Sequence, residues 1–135
     1  MTTIEKETRR WLTYAHTDLS VAEALLRQPD SYPRHACFWA QQAAEKTIKA
    51  ALVFLDIRVP RSRDLNNLRD LLPAGWRVKD AYPDLTDLSS WAVEPRYPGD
   101  APEAVEADAR EAIKLARGIW DSVTADLAQR GFSLA

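Results

Sequence analysis

The feature that most restricts the fold of this chain is its second apolar stripe. Across residues 34–55, Ala36, Ala40, Ala43, Ala44, Ile48, Ala51, Leu52 and Leu55 recur at three- and four-residue spacings. That spacing puts them on one broad face of a helix. The face is rich in small side chains, which let neighbouring helix backbones approach closely. The stripe therefore predicts the central helix of a bundle, and the rest of the chain has to supply partners for it.

Those partners are legible on either side. Trp11, Ala15, Leu19, Ala22 and Leu26 form a stripe that predicts a first helix over residues 3–27, with Thr2 and Glu5 offering a capping box. Pro29 sets its end. Asp64 is a good N-cap for a short third helix with Leu65, Leu68, Leu71 and Leu72 inward, stopped by Pro73 and Gly75. Residues 80–92 predict a weaker fourth helix carrying Leu85, Leu88 and Trp91, interrupted near its start by Pro83. Residues 94–100 read as a rigid loop between two prolines. The last helix is expected to open at residues 100–103 and to bury Val105, Ala109, Ala112, Ala116, Ile119, Val123 and Leu127 until Gly131 ends it. No segment alternates with period two, and only four glycines are present, too few for the turns of an all-β domain. The expected fold class is all-α, an up-and-down bundle of four to five helices in one domain spanning residues 1–135. The five tryptophans read as core and interface anchors.

Bulk properties narrow the function classes. A net charge of −2 gives few cations for displacing counterions along a nucleic-acid backbone. Their distribution is uneven: residues 57–79 hold six cations (Arg58, Arg61, Arg63, Arg69, Arg77, Lys79) against two anions, and residues 80–108 hold eight anions against Arg96 alone. A local basic patch beside an acidic face is one reading, and solvated loops and helix ends are the other. The single cysteine, Cys37, rules out an internal disulfide framework, and with no apolar leader in residues 1–8 a cytoplasmic location is expected. No stretch is apolar enough to span a membrane.

Catalytic sets are incomplete. The sequence has no Cys-x-x-Cys or His-x-x-x-His spacing for a metal and no glycine-rich loop before a helix, so neither metal nor cofactor is expected. Cys37 has no evident base beside it, and the acids Asp84 and Asp87 lack anything to separate their pKa values. The densest polar run is on the second helix, where Gln41, Glu45 and Lys49 share a face with Gln42 and Lys46 beside them. As an exposed i,i+4 pair, Glu45 and Lys49 would contribute only about 0.3–0.5 kcal/mol. Two adjacent glutamines need partners if buried, which points to a polar network or an interface.

The run Phe38-Trp39-Ala40-Gln41-Gln42-Ala43-Ala44-Glu45-Lys46, continuing Lys49-Ala50-Ala51-Leu52, closely resembles the signature of the HEPN domain family. Ser62-Arg63-Asp64-Leu65-Asn66-Asn67-Leu68 resembles that family's His-Asp-Leu-x-x-Leu element, and Arg96-Tyr97-Pro98 its Arg-Tyr-Pro segment before the last helix. Asp18-Leu19 and Ala22-Glu23-Ala24-Leu25-Leu26 agree as well, so the resemblance covers nearly the whole chain. It implies an up-and-down helical bundle, usually dimeric, whose gene often sits beside that of a minimal nucleotidyltransferase in toxin–antitoxin or related pairs. Some such proteins are metal-independent ribonucleases with an Arg-x(4–6)-His motif; nucleotide binding is proposed for others. Here the family's histidine before Asp-Leu is Arg63, the histidine often found after the aromatic in the second helix is Trp39, and no histidine follows His35. Arg9 and Arg10 do precede His16 at matching spacing, but on the first helix, where ribose 2′-OH attack would still need a positioned base and a charge-stabilising group.

The reading that follows is a non-catalytic binding and assembly module, the HEPN partner of a small nucleotidyltransferase-fold protein, forming a homodimer. Gln41, Gln42, Glu45, Lys46, Lys49, Arg96 and Tyr97 are the expected ligand or partner surface. Arg96 suits an anion such as the phosphate of a nucleotide or RNA, because a guanidinium matches phosphate geometry. The alternatives are a degenerate ribonuclease toxin using Arg96 and Tyr97 without a histidine, and a purely structural homodimer.

Overall fold

A computed structural model describes residues 1–92 and 103–134. Six helices are present among them: α1 (Thr3–Leu26), α2 (Pro33–Phe54), α3 (Leu65–Asp70), α4 (Arg77–Ala81), α5 (Thr86–Ser89) and α6 (Glu106–Gln129), with a 3₁₀ turn at Ser90–Ala92 after α5. The described residues hold no strand.

The three long helices set the frame, and short ones complete it. Lys46 reaches Asp18, and Lys49 lies over the ring of Trp11, so α1 and α2 run antiparallel. Phe54 meets Phe132 edge to face, so α2 and α6 end together and run in the same direction. Between them the chain returns as the third pass of the bundle. The Arg77 amide meets Asp126, Tyr82 lies on Gly118, and Leu88 and Trp91 face Glu111 and Ala112, so residues 76–92 run antiparallel to α6. The up-and-down bundle is thus realised with a broken third pass, where the interruption expected at Pro83 separates α4 from α5.

Local chemistry explains most boundaries. The Thr2 hydroxyl accepts from the Glu5 amide at 3.1 Å, and the Asp64 carboxylate accepts from the Asn66 and Asn67 amides. The C-termini of α2 and α6 close with the same motif. After α2 the Ile57 amide bonds to the Leu52 carbonyl and that of Asp56 to Val53. After α6 the Phe132 amide bonds to Leu127 and that of Gly131 to Ala128. Each turn needs a left-handed residue, supplied by Gly131 at φ +86° but by Asp56 at φ +57°. Two boundary expectations fail. Leu71, expected inward, is 43% exposed because α3 stops at Asp70 and the periodicity stops with it. Val105, expected in the last stripe, is 60% exposed because α6 starts at Glu106, with Asp108 accepting from the Val105 amide. Residues 100–102 lie outside the described ones.

Helix α2 is central, as its stripe predicts: α1 packs along one side, α6 along another, and α3, α5 and the 3₁₀ turn over a third. Ala36, Ala40, Ala44, Ile48, Ala51 and Leu52 have no exposed surface. Of the tryptophans only Trp76 is fully buried, with the Arg130 guanidinium 4.2 Å above its ring, and Trp11, Trp39, Trp91 and Trp120 pack against the edge of the core.

Candidate binding site on the central helix

Most of the polar run of α2 is covered. Because three layers cover this helix, Gln41, Gln42, Glu45 and Lys49 are all buried, and Lys46 is half-buried. Their groups satisfy one another. Gln42 Nε2 donates to Gln41 Oε1 at 2.7 Å, and Gln41 Nε2 donates to Glu45 Oε1 at 3.3 Å and to the Arg63 carbonyl at 3.1 Å. Lys49 Nζ donates to the other Glu45 oxygen at 3.0 Å. The exposed Glu45–Lys49 pair expected from spacing is therefore a buried one.

Lys46 stands outside this set of bonds and donates to Asp18 on α1 at 2.6 Å. Burial lifts the Asp18 carboxyl above the usual carboxylate range and the Glu45 charge adds to the lift; the Lys46 hydrogen bond and charge oppose it. Aromatic rings border these amines: Lys46 lies 6.0 Å from the centroid of Tyr14, and Lys49 lies 5.9 Å from that of Trp11. Trp11, Tyr14, Glu7 and Arg10 line a surface notch of about 210 Å³ beside them.

Two of the three sequence elements are brought together. The Arg63 carbonyl takes the Gln41 amide, and the Arg63 guanidinium donates to the Ala92 carbonyl at 2.9 Å. Arg63, which stands where the family's histidine would precede Asp-Leu, thus clasps the 62–64 loop between α2 and the 3₁₀ turn. Arg96 and Tyr97 lie outside the described residues.

The basic run is partly consumed by the fold. Arg69 is buried, donating to the carbonyl of Tyr82, to Asn66 Oδ1 and to Asp70. Arg77 pairs with Asp126, and Lys79 donates to the Leu72 carbonyl. Arg58, Arg61 and Arg63 remain exposed. Sequence reasoning missed the Arg69–Asn66 hub; the signal available was two polar residues inside a helix otherwise read for its leucines.

The remaining candidates for chemistry are not assembled. His16 packs its ring against Trp120 with centroids 5.4 Å apart, while Arg9 is bonded to the carbonyls of Ser133 and Leu134 and Arg10 faces Glu7 and Tyr14. Burial pushes the Cys37 thiol up to about 12, with the Asp108 charge adding to it. Among the described residues no group of three His, Cys, Asp or Glu side chains is placed to hold a metal, and no helix is long and apolar enough to cross a membrane.

A bundle folded on an alanine-rich helix, with a closed Gln-Gln-Glu-Lys network inside it, defines a class of helical domain. Residues 8–126 match the HEPN domain, and the chain belongs to that family. Among solved structures it is similar to TT1696 from Thermus thermophilus, with 29% identity over 87% of this chain and 96% of that one and a TM-score of 0.74. It is similar also to ST0689, described as an archaeal HEPN homologue, with 28% identity over 94% and 99% of the two chains and a TM-score of 0.69. No curated protein matches it.

Proposed function

We infer that this chain is a non-catalytic binding and assembly module: a homodimer that serves as the HEPN half of a pair with a small nucleotidyltransferase-fold protein and takes nucleotide or RNA at its surface. The observation that carries this reading is the closed network on α2. A general acid or base must exchange a proton with substrate, whereas Gln41, Gln42, Glu45 and Lys49 face one another inside the chain. Their role is then to hold the platform. Lys46, Arg96 and Tyr97 are the members of the expected surface left for contact, with Arg96 as the phosphate-binding group.

Homodimerisation is supported by Tyr14 and Val21, large apolar side chains seven residues apart and exposed on one side of α1. The pairing with a nucleotidyltransferase rests on the family's habits, and a cytoplasmic location on the single cysteine. Co-purification with the nucleotidyltransferase-fold protein encoded beside its gene, with light scattering of the free chain, tests the reading. A stable complex and a free dimer are expected, with RNA left uncut. RNA cleavage abolished by Arg96→Ala and untouched by His16→Ala would replace it with a degenerate ribonuclease.

A further inference from the structure

The segment after α6 lies back across α1. Gly131 turns the chain, and the next carbonyls are gripped by one arginine: Arg9 Nη1 donates to Leu134 O and Nη2 to Ser133 O, both at 2.6 Å, with the guanidinium 5.5 Å from the Phe132 ring centroid. Two features of this contact are unfinished. Arg9 Nε is buried without a hydrogen-bond partner, and no carboxylate of the described residues pairs with the guanidinium. The groove that receives Leu134 is only partly filled, because α1 and α6 meet over a far shorter stretch than either meets α2. On one side of Leu134 a space of about 210 Å³ runs over Leu12 toward Leu127 and Phe132. On the other, about 370 Å³ runs over Leu12 toward His16 and Trp120. Leu134 itself remains 43% exposed.

We propose that the α1–α6 groove is a docking site for an extended segment of a partner protein, which seats an apolar side chain between Leu12 and Trp120 and presents a carboxylate to Arg9. The chain's own residues 132–134 show the mode of recognition: backbone carbonyls against the guanidinium, with a leucine in the groove. A carboxylate in place of the tail's carbonyls supplies what they do not. It is charged, and it accepts from Nε and one Nη together, which pairs the buried Nε–H and neutralises Arg9. Arginine and tryptophan are the side chains that most often dominate binding energy at interfaces, and the groove holds one of each. The proposal is independent of the nucleotidyltransferase pairing, since any polypeptide of this chemistry fits.

The test is fluorescence anisotropy of an N-terminally labelled, C-terminally amidated peptide Phe-Ser-Leu-Glu titrated with the full chain. Saturable binding is expected, with the Phe-Ser-Leu-Gln peptide weaker by about tenfold or more, the loss that accompanies a missing charge-assisted hydrogen bond. Leu134→Ala should tighten binding, because the chain's own tail competes at high effective concentration. Arg9→Lys, which keeps the charge and loses the fork, should weaken it to the level of the Gln peptide. The comparison of the two peptides uses the unaltered protein, so a poorly folded Arg9 variant leaves the test intact. Equal affinity for both peptides, or no saturation up to millimolar protein with either the unaltered chain or Leu134→Ala, overturns the proposal. So does equal binding of Phe-Ser-Ala-Glu, which would reduce the groove to an anion contact at Arg9 alone.

Discussion

Lys49 Nζ lies 3.0 Å from Glu45 Oε2, one helical turn away on α2, and each side chain is only 9% exposed. A buried pair of this kind is weak evidence for net stabilisation, since both charges lose their hydration. Removing one partner is a different matter, because the other is left buried and uncompensated. Glu45→Ala strands the Lys49 ammonium and also takes an acceptor from Gln41. The expected loss is about 3–5 kcal/mol in denaturant unfolding, against a few tenths for an exposed pair. Glu45→Ala combined with Lys49→Met, which leaves no charge stranded, should recover a measurable part. Equal stability of Glu45→Ala and the parent chain would mean that water reaches the pair.

Gly118 sits in the middle of α6 beneath the Tyr82 ring. A Cβ there would fall on the Tyr82 hydroxyl and lie 3.0 Å from Cζ. In an open helix, glycine to alanine stabilises by roughly 0.5–1 kcal/mol. Here the sign should reverse: Gly118→Ala is expected to cost about 1–3 kcal/mol through overpacking. Adding Tyr82→Phe removes the clashing oxygen and should restore much of the loss. Thermal melts of the three variants give the answer, and a stabilised Gly118→Ala would show that the residue 76–92 pass moves freely away from α6.

What the sequence made legible was periodic or adjacent. Asp64 could be read as a cap because its partners, the amides of Asn66 and Asn67, are its neighbours, and the alanine stripe of α2 predicts a central helix whatever packs on it. The environment of Gln41, Glu45 and Lys49 was not legible. Their spacing is the same whether the face meets water or the carbonyl of Arg63, and that carbonyl arrives 22 positions later in the chain. The grip of Arg9 on Leu134 spans 125 positions and uses backbone carbonyls, which every residue carries. Nothing in the sequence around Gly118 points to Tyr82, which lies 36 positions earlier in the chain.

Asp56 holds the left-handed position that ends α2, at φ +57°, and is exposed. Aspartate tolerates this region better than most residues but still at a cost that glycine does not bear. Asp56→Gly should keep both amide bonds of the turn and raise stability by about 0.5–1 kcal/mol, the lower figure if the freer unfolded chain offsets more of the gain. Asp56→Val should lower it by a larger margin. Reversal of that order in thermal melts would mean that the turn is not held in this conformation in solution.

Cys37 is fully buried in the core, and burial pushes its thiol up to about 12. The thiolate is the reactive form, so at neutral pH almost none is present and the sulfur is also out of reach. An aromatic disulfide reagent should label the native chain no faster than it unfolds, and label one thiol per chain at once in denaturant. Fast native labelling would place Cys37 at an opening of the bundle.

The carboxyl of Asp18 gives a pH dependence whose sign is opposite to the usual one for an ion-paired acid. Its 2.6 Å contact with Lys46 alone would lower its pKa, but burial outweighs that contact and raises it. A carboxyl that binds its proton more tightly in the folded chain favours folding when protonated. That contribution is fully present below the unfolded value and is lost as pH rises through the folded one. At neutral pH the ionised Asp18 therefore bears a desolvation cost that a neutral amide of the same shape does not. Asp18→Asn should consequently compare better with the parent chain at pH 7 than at pH 4, in melts of the two proteins at each pH. If instead the variant loses ground as the pH rises, the Lys46 ion pair outweighs burial, and α1 and α2 are joined at this point by charge.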